Sequence, residues 1–198
     1  MTSCHVDDDG TARVRLRLPT YFCAPNFAFL IVADAHEAVA GVDGVGAVEV
    51  VLEDHFAAGE INAGVAARSG FVASFHGLAA GELDQLRRDF LRKAVLAAQA
   101  RLIGPSVAAD VPAEELSAMT LGDARPSADR ERLRDRRLEL GIPSADHDPL
   151  LVHPDGRTVE SSEVLLHLRR ARTVRVSIDA NGEYCRHLLA RRRGGAEG

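Results

Sequence analysis

Cys23 is the residue best placed to do chemistry, in the stretch Leu18-Pro19-Thr20-Tyr21-Phe22-Cys23-Ala24-Pro25-Asn26. Its thiol stands between an expected strand end and an expected helix start. Unpaired backbone N–H groups and the positive end of a helix dipole there favour the thiolate that nucleophiles and metal ligands require. The alternative is a small hydrophobe filling a loop. A second group of donors follows at Asp54, His55, Glu60 and Asn62. Carboxylates and an imidazole converging at one end of a small sheet form a mixed donor set that iron accepts. The alternative makes Asp54 and Asn62 turn caps and His55 an ordinary loop histidine. Cys185, with His187 two residues on, supplies a second thiolate and imidazole if the C-terminal region folds back over Cys23. Otherwise it is a packed structural thiol. Cys4 and His5 fall in a terminus expected to be disordered.

The elements that must position these residues follow from periodicity. Arg13, Arg15 and Arg17 alternate with Val14, Leu16 and Leu18, so Ala12 to Leu18 reads as a strand with one buried face. Phe27, Leu30, Ile31, Asp34 and Ala38 follow helical spacing behind Pro25, which suits a first turn, and the helix ends near Gly41. A turn at Val42 to Gly46 leads into a valine-rich strand from Ala47 to Glu53. Strand, helix and strand make a βαβ-like unit whose two strands are expected in one sheet. Residues 54–77, rich in glycine and small side chains, read as a long structured loop with one short strand. Glu82 to Ile103 gives the strongest helical signal and is stopped by Gly104-Pro105. Pro105 to Pro126 reads as a linker with one helical piece at Ala113 to Met119. Beyond it come a charged helix at Asp129 to Leu140, a hairpin around Pro154-Asp155-Gly156, and a helix at Ser162 to Arg170. A strand at Thr173 to Ile178 and a turn at Asn181-Gly182 follow.

Val14 to Val51 resembles the iron-sulfur cluster assembly domain shared by SufT-like proteins and the phenylacetate-oxygenase maturation protein PaaD. That family has a strand, a Thr/Ser-containing loop ending in Cys-Pro, a helix, then a Gly-Val turn into a valine-rich strand. Thr20, Cys23, Pro25, Gly44, Val45, Val48 and Val50 stand in those places, with the proline here two residues after the cysteine. The resemblance covers about a fifth of the chain. It implies a maturation factor that builds or delivers iron or an iron-sulfur cluster, of the kind that accompanies bacterial multicomponent di-iron monooxygenases. On that reading Cys23, with His55, Glu60 and Cys185, transiently holds the metal, and Thr20, Asp54 and Asn62 lie beside the bound cofactor. The implied partner is a client oxygenase or other iron protein, with a homodimer also open. The rival reading is a metal-free adaptor, in which Tyr21-Phe22 is a docking anchor for a partner oxygenase component. A thiol enzyme ranks last because no base partner is identifiable.

Composition excludes several classes. At 198 residues and 46% hydrophobic the chain can bury a substantial core and is not disordered by composition. Apolar runs stop well short of ~18 residues and the start lacks a basic-then-apolar pattern, so the expectation is a cytoplasmic protein away from membranes. Three widely spaced cysteines give neither a disulfide framework nor a zinc ribbon. A net charge of -5, with 5% aromatic residues and no tryptophan, argues against nucleic-acid binding. The arginines at 130–137 and 191–193 read as solvated helix faces or a frayed tail. There is no phosphate-binding glycine loop, no GxGxxG after a strand, no GxSxG and no HExxH. The expected architecture is α/β in the α+β sense. A small βαβ-type iron-sulfur-assembly-like domain with its long packing helix occupies residues 1–104, and a C-terminal α/β appendage that selects the client occupies residues 105–198.

Overall fold

The arginine and aliphatic alternation of the first expected strand is realised in a computed structural model, which describes residues 1–76 and 83–194. Strand β2 spans Ala12–Arg17 and buries Ala12 and Val14 on one face while Arg13 and Arg15 face solvent. Strand β3, Val48–Glu53, lies parallel to it, with Val14 opposite Val50 and Leu16 opposite Leu52. On the polar face Arg13 pairs with Glu49, and Arg15 reaches Glu53 at 3.1 Å. A parallel pair needs a crossover, which helix α1 provides over Pro25–Ala40, with its proline in the first turn. The N-terminus, expected to be disordered, adds strand β1 over Ser3–Val6, antiparallel to β2 with Cys4 opposite Val14. The result is an α+β fold with a three-stranded mixed sheet ordered β1-β2-β3.

The chain divides into two compact units, one of Met1–Gln85 with Tyr184–Gly198 and one of Leu86–Glu183. In the first, Val14, Leu18, Phe29, Val32, Val50 and Leu52 form a core with Ile61, Val65 and Phe75. The last three come from the segment expected as a loop. It contains instead helix α2, Ala58–Ala66, and a one-turn helix α3, Phe71–Ser74. Ala57, Ile61 and Val65 recur every four residues and form one apolar stripe, and Glu60 carries charge into the first turn, where the helix dipole favours it. Glycine at 64 is dictated by packing, since a Cβ there would overlap the Ser74 side chain and stand 3.0 Å from Phe29 Cε2.

Helix α4 spans Asp84–Leu102; the expected start at Glu82 lies outside the described residues. The expected linker carries helices α5, Gly104–Ala108, and α6, Ala113–Ala118, and buries Leu116, Leu121 and Ala124 in the second unit's core. Helix α7, Ala128–Glu139, is capped by the Ser127 hydroxyl, which accepts from the Arg130 N–H. Its Arg137 is fully buried and donates to the carbonyls of Pro143, Pro149 and Leu150.

The appendage, expected to be α/β, contains no strand among its described residues. Its β content is two isolated bridges, Thr120 with Pro149 and Val152 with Thr158, so the expected hairpin shrinks to a single rung. The expected strand Thr173 to Ile178 and turn Asn181-Gly182 both lie inside helix α8, Val164–Gly194. The leucines and arginines before it, and those beyond the poor helix formers Asn181 and Gly182, let the helix propagate through the valines, and no neighbouring strand among the described residues accepts a ladder. Val176 stays 55% exposed, so no sheet core claims it.

Candidate functional site

Two loops meet at the ends of β2 and β3. The first runs from Leu18 to Ala24 and the second from Asp54 to Ala57. Asp54 turns the chain with φ 54°, a left-handed conformation that aspartate tolerates, and thereby directs His55 inward. His55 is only 5% exposed. Its Nδ1 accepts from the Ala57 N–H at 3.1 Å, so the ring proton sits on Nε2, which donates to the Cys23 carbonyl at 2.8 Å. The Phe56 N–H donates to the Tyr21 carbonyl at 3.2 Å. The two loops are thus latched at two points, and the neutral imidazole spends both nitrogens on the latch.

Cys23 is partly buried and packs against the core of the first unit, with its sulfur 3.3 Å from the Thr20 hydroxyl. No side chain caps helix α1 behind it. Asp54 pairs with Arg192 from the end of α8, and the same guanidinium donates to the Leu18 carbonyl at 2.7 Å. Asn62 holds β3: its Oδ1 accepts from the Leu52 N–H at 2.8 Å and its Nδ2 donates to the Leu52 carbonyl at 3.1 Å. Glu60 is exposed on the first turn of α2, and Cys185 is an exposed thiol on α8.

The structure therefore brings together Cys23, Thr20 and His55, and leaves Glu60 and Cys185 as separate surface groups. Among the described residues, no three His, Cys, Asp or Glu side chains form a set able to hold a metal ion. As arranged, this donor set does not fit a resident iron centre. One thiol faces inward, the imidazole is saturated by backbone partners, Asp54 answers an arginine, and Asn62 answers a strand.

What the latch does present is aromatic. Phe22 is 78% exposed, Phe56 49% and Tyr21 43%. The three rings form a contiguous array, with centroids 4.9 Å apart for Tyr21–Phe22, 6.1 Å for Phe22–Phe56 and 6.3 Å for Tyr21–Phe56. Behind it, His55 stacks on Phe56 at 4.8 Å. Tyr21 and Phe22 are legible in the sequence as a possible anchor. Phe56 joins them only through the β3 turn, and Arg192 arrives from the far end of the chain with no local signal.

A second polar cluster lies in the Leu86–Glu183 unit. Gln99, fully buried, donates to the Val152 carbonyl and accepts from His167 Nε2 at 2.8 Å. Burial, with help from His153 and Arg170, lowers the His167 pKa to about 4. Glu163 accepts from Arg157 through both carboxylate oxygens, from the Glu160 N–H and from His153, and its pKa falls to about 2. This network ties the 3-10 turn at Ser161–Glu163 to the 153–157 turn.

Comparison with protein-family models, with curated proteins and with solved structures finds no match. Among the described residues, no helix is long and apolar enough to cross a membrane.

Proposed function

We propose that the chain is a non-catalytic accessory protein that assists assembly or maturation of an oxygenase component or another iron protein by docking to it, without storing iron in its own side chains. The observation that carries this reading is the exposed Tyr21–Phe22–Phe56 array on a hydrogen-bonded latch. Large aromatic side chains standing in water on a rigid support are costly to the free protein and are the residue types that dominate binding energy at protein interfaces. Rigidity matters because an ordered anchor loses little conformational freedom on association. The client class comes from the resemblance of the strand, Cys23 loop and helix to iron-sulfur assembly domains. Within this reading Cys23 positions the loop through its carbonyl and its contact with Thr20.

Co-expression with an apo di-iron oxygenase component tests the proposal, with complex formation followed by size exclusion and the oxygenase's iron content measured afterwards. Wild-type chain should co-elute and raise the iron content, and Phe22→Ser and Phe56→Ser should lose both effects while remaining folded. Cys23→Ser, which keeps the backbone carbonyl, should retain the complex. The proposal fails if the aromatic variants bind normally, or if anaerobically purified chain carries stoichiometric iron and acid-labile sulfide that Cys23→Ser removes.

A further inference from the structure

A cavity of about 520 Å³ opens between the C-terminal half of α1 and the end of α2, a size typical of small-molecule sites. Phe29, Ala33 and Val65 give it an apolar floor, and His36, Glu37 and Arg68 stand on its rim. None of the residues of the aromatic latch lines it.

Arg68 is the informative residue. Three non-glycine residues among those described adopt positive φ, namely Asp54, Asp110 and Arg68. Aspartate enters this region readily; arginine does so at a steric cost that glycine would avoid. Arg68 takes φ 50° at the end of α2, where its N–H donates to the Val65 carbonyl and the Ser69 N–H donates to the Gly64 carbonyl. This is a helix stop at which glycine is the usual choice. The turn needs only a left-handed backbone, so the presence of a long cationic side chain is unexplained by the turn itself. Its guanidinium is exposed and makes no ion pair with any described residue. An unpaired cation over an apolar floor is complementary to a ligand with one anionic end and a hydrocarbon body.

We propose that this cavity binds an amphipathic monocarboxylate of medium length, with its hydrocarbon on Phe29, Ala33 and Val65 and its carboxylate on the Arg68 guanidinium. Glu37 also stands on the rim, so the Arg68 side is where a carboxylate is held. The helix ends bordering the cavity already satisfy part of their carbonyl sets, through the N–H of Gly41 to Glu37 and through the bonds of Arg68 and Ser69. These bonds weaken but do not abolish the opposition that the negative ends of α1 and α2 offer a carboxylate, so the Arg68 guanidinium is the group that must hold it.

Isothermal titration of the full chain with octanoate, octanol and octylammonium tests this, using wild type, Arg68→Gly and Ala33→Leu. Glycine suits the left-handed turn, so Arg68→Gly keeps the fold, which a thermal melt checks. Octanoate should bind one to one, octanol about tenfold more weakly because it lacks the charge-assisted bond, and octylammonium no more tightly than octanol because Arg68 offers its charge no partner. Arg68→Gly should bring octanoate down to the octanol level, and Ala33→Leu should block both by filling the floor. Equal affinity for octanoate and octanol, unchanged octanoate binding in Arg68→Gly, or no saturable octanoate binding to wild type overturns the proposal.

Discussion

Replacing His55 by phenylalanine removes the latch while keeping a ring of similar size against Phe56. The side chain is 5% exposed and joins the Ala57 N–H, at 3.1 Å, to the Cys23 carbonyl, at 2.8 Å. Phenylalanine restores neither bond. A buried backbone group left without a partner costs about 1–3 kcal/mol. The Cys23 carbonyl sits in a loop that water can reach in part, so its share falls at the low end, and the Ala57 N–H lies at a buried residue and takes more. The total loss is about 2–4 kcal/mol, a large part of the ~5–15 kcal/mol that holds a typical domain together. Urea unfolding should show the midpoint falling with an unchanged slope, and amide exchange should speed up first at Phe56 and Ala57, whose N–H groups lie on the latch. Client binding should weaken as well, because the Tyr21–Phe22–Phe56 array loses its fixed geometry. A His55→Phe protein within about 0.5 kcal/mol of wild type, with the Ala57 amide still protected, would refute the reasoning.

Arg137→Met should destabilise the second unit by about 3–5 kcal/mol, because three carbonyls lose their donors when a buried guanidinium is removed; chemical denaturation measures it. Gly64→Ala should cost about 1–3 kcal/mol, since the new methyl group meets the Ser74 side chain and Phe29, and a thermal melt reads the loss. Stability should decline on acidification. His167 is held neutral with a pKa near 4, so the unfolded chain takes up its proton first and stability falls as pH drops from about 6.5 towards 4. Glu163, with its pKa near 2, contributes stability above about 4.5 that is lost as pH falls towards 2. Urea midpoints compared at pH 7 and pH 5 should differ less in His167→Gln than in wild type.

Local chemistry made the sheet and its crossover legible. Strand β2 announces itself by strict alternation of arginine with aliphatic residues, and Pro25 marks the start of α1, because each signal reflects a steric or solvation rule acting within a few residues. The same rules misread Thr173 to Ile178. Alternating valine and isoleucine favour a strand only when a partner strand offers a ladder and a core face, and neither is supplied here, so the helix on both sides runs through. Residues 54–77 failed for a related reason. Their glycines lower intrinsic helix propensity, and what makes α2 worthwhile is burial of Ile61 and Val65 against Phe29, a contact made across sequence.

The candidate site shows the same division between local and distant information. The Cys23 loop, Thr20 and His55 were recognisable as neighbours of strand ends, and they do meet. What residue types could not convey is how each donor spends its hydrogen bonds. A histidine beside a cysteine suggests metal ligation until both ring nitrogens are accounted for; one accepts from Ala57 and the other donates to Cys23. An asparagine and an aspartate nearby suggest further ligands until Leu52 and Arg192 claim them. A ligand must have a free lone pair pointing at the metal, and the backbone has priority in a small sheet because every buried N–H and carbonyl must be satisfied for the strands to pair. The groups left over at this end of the sheet are three aromatic rings, whose favourable partner is another apolar surface.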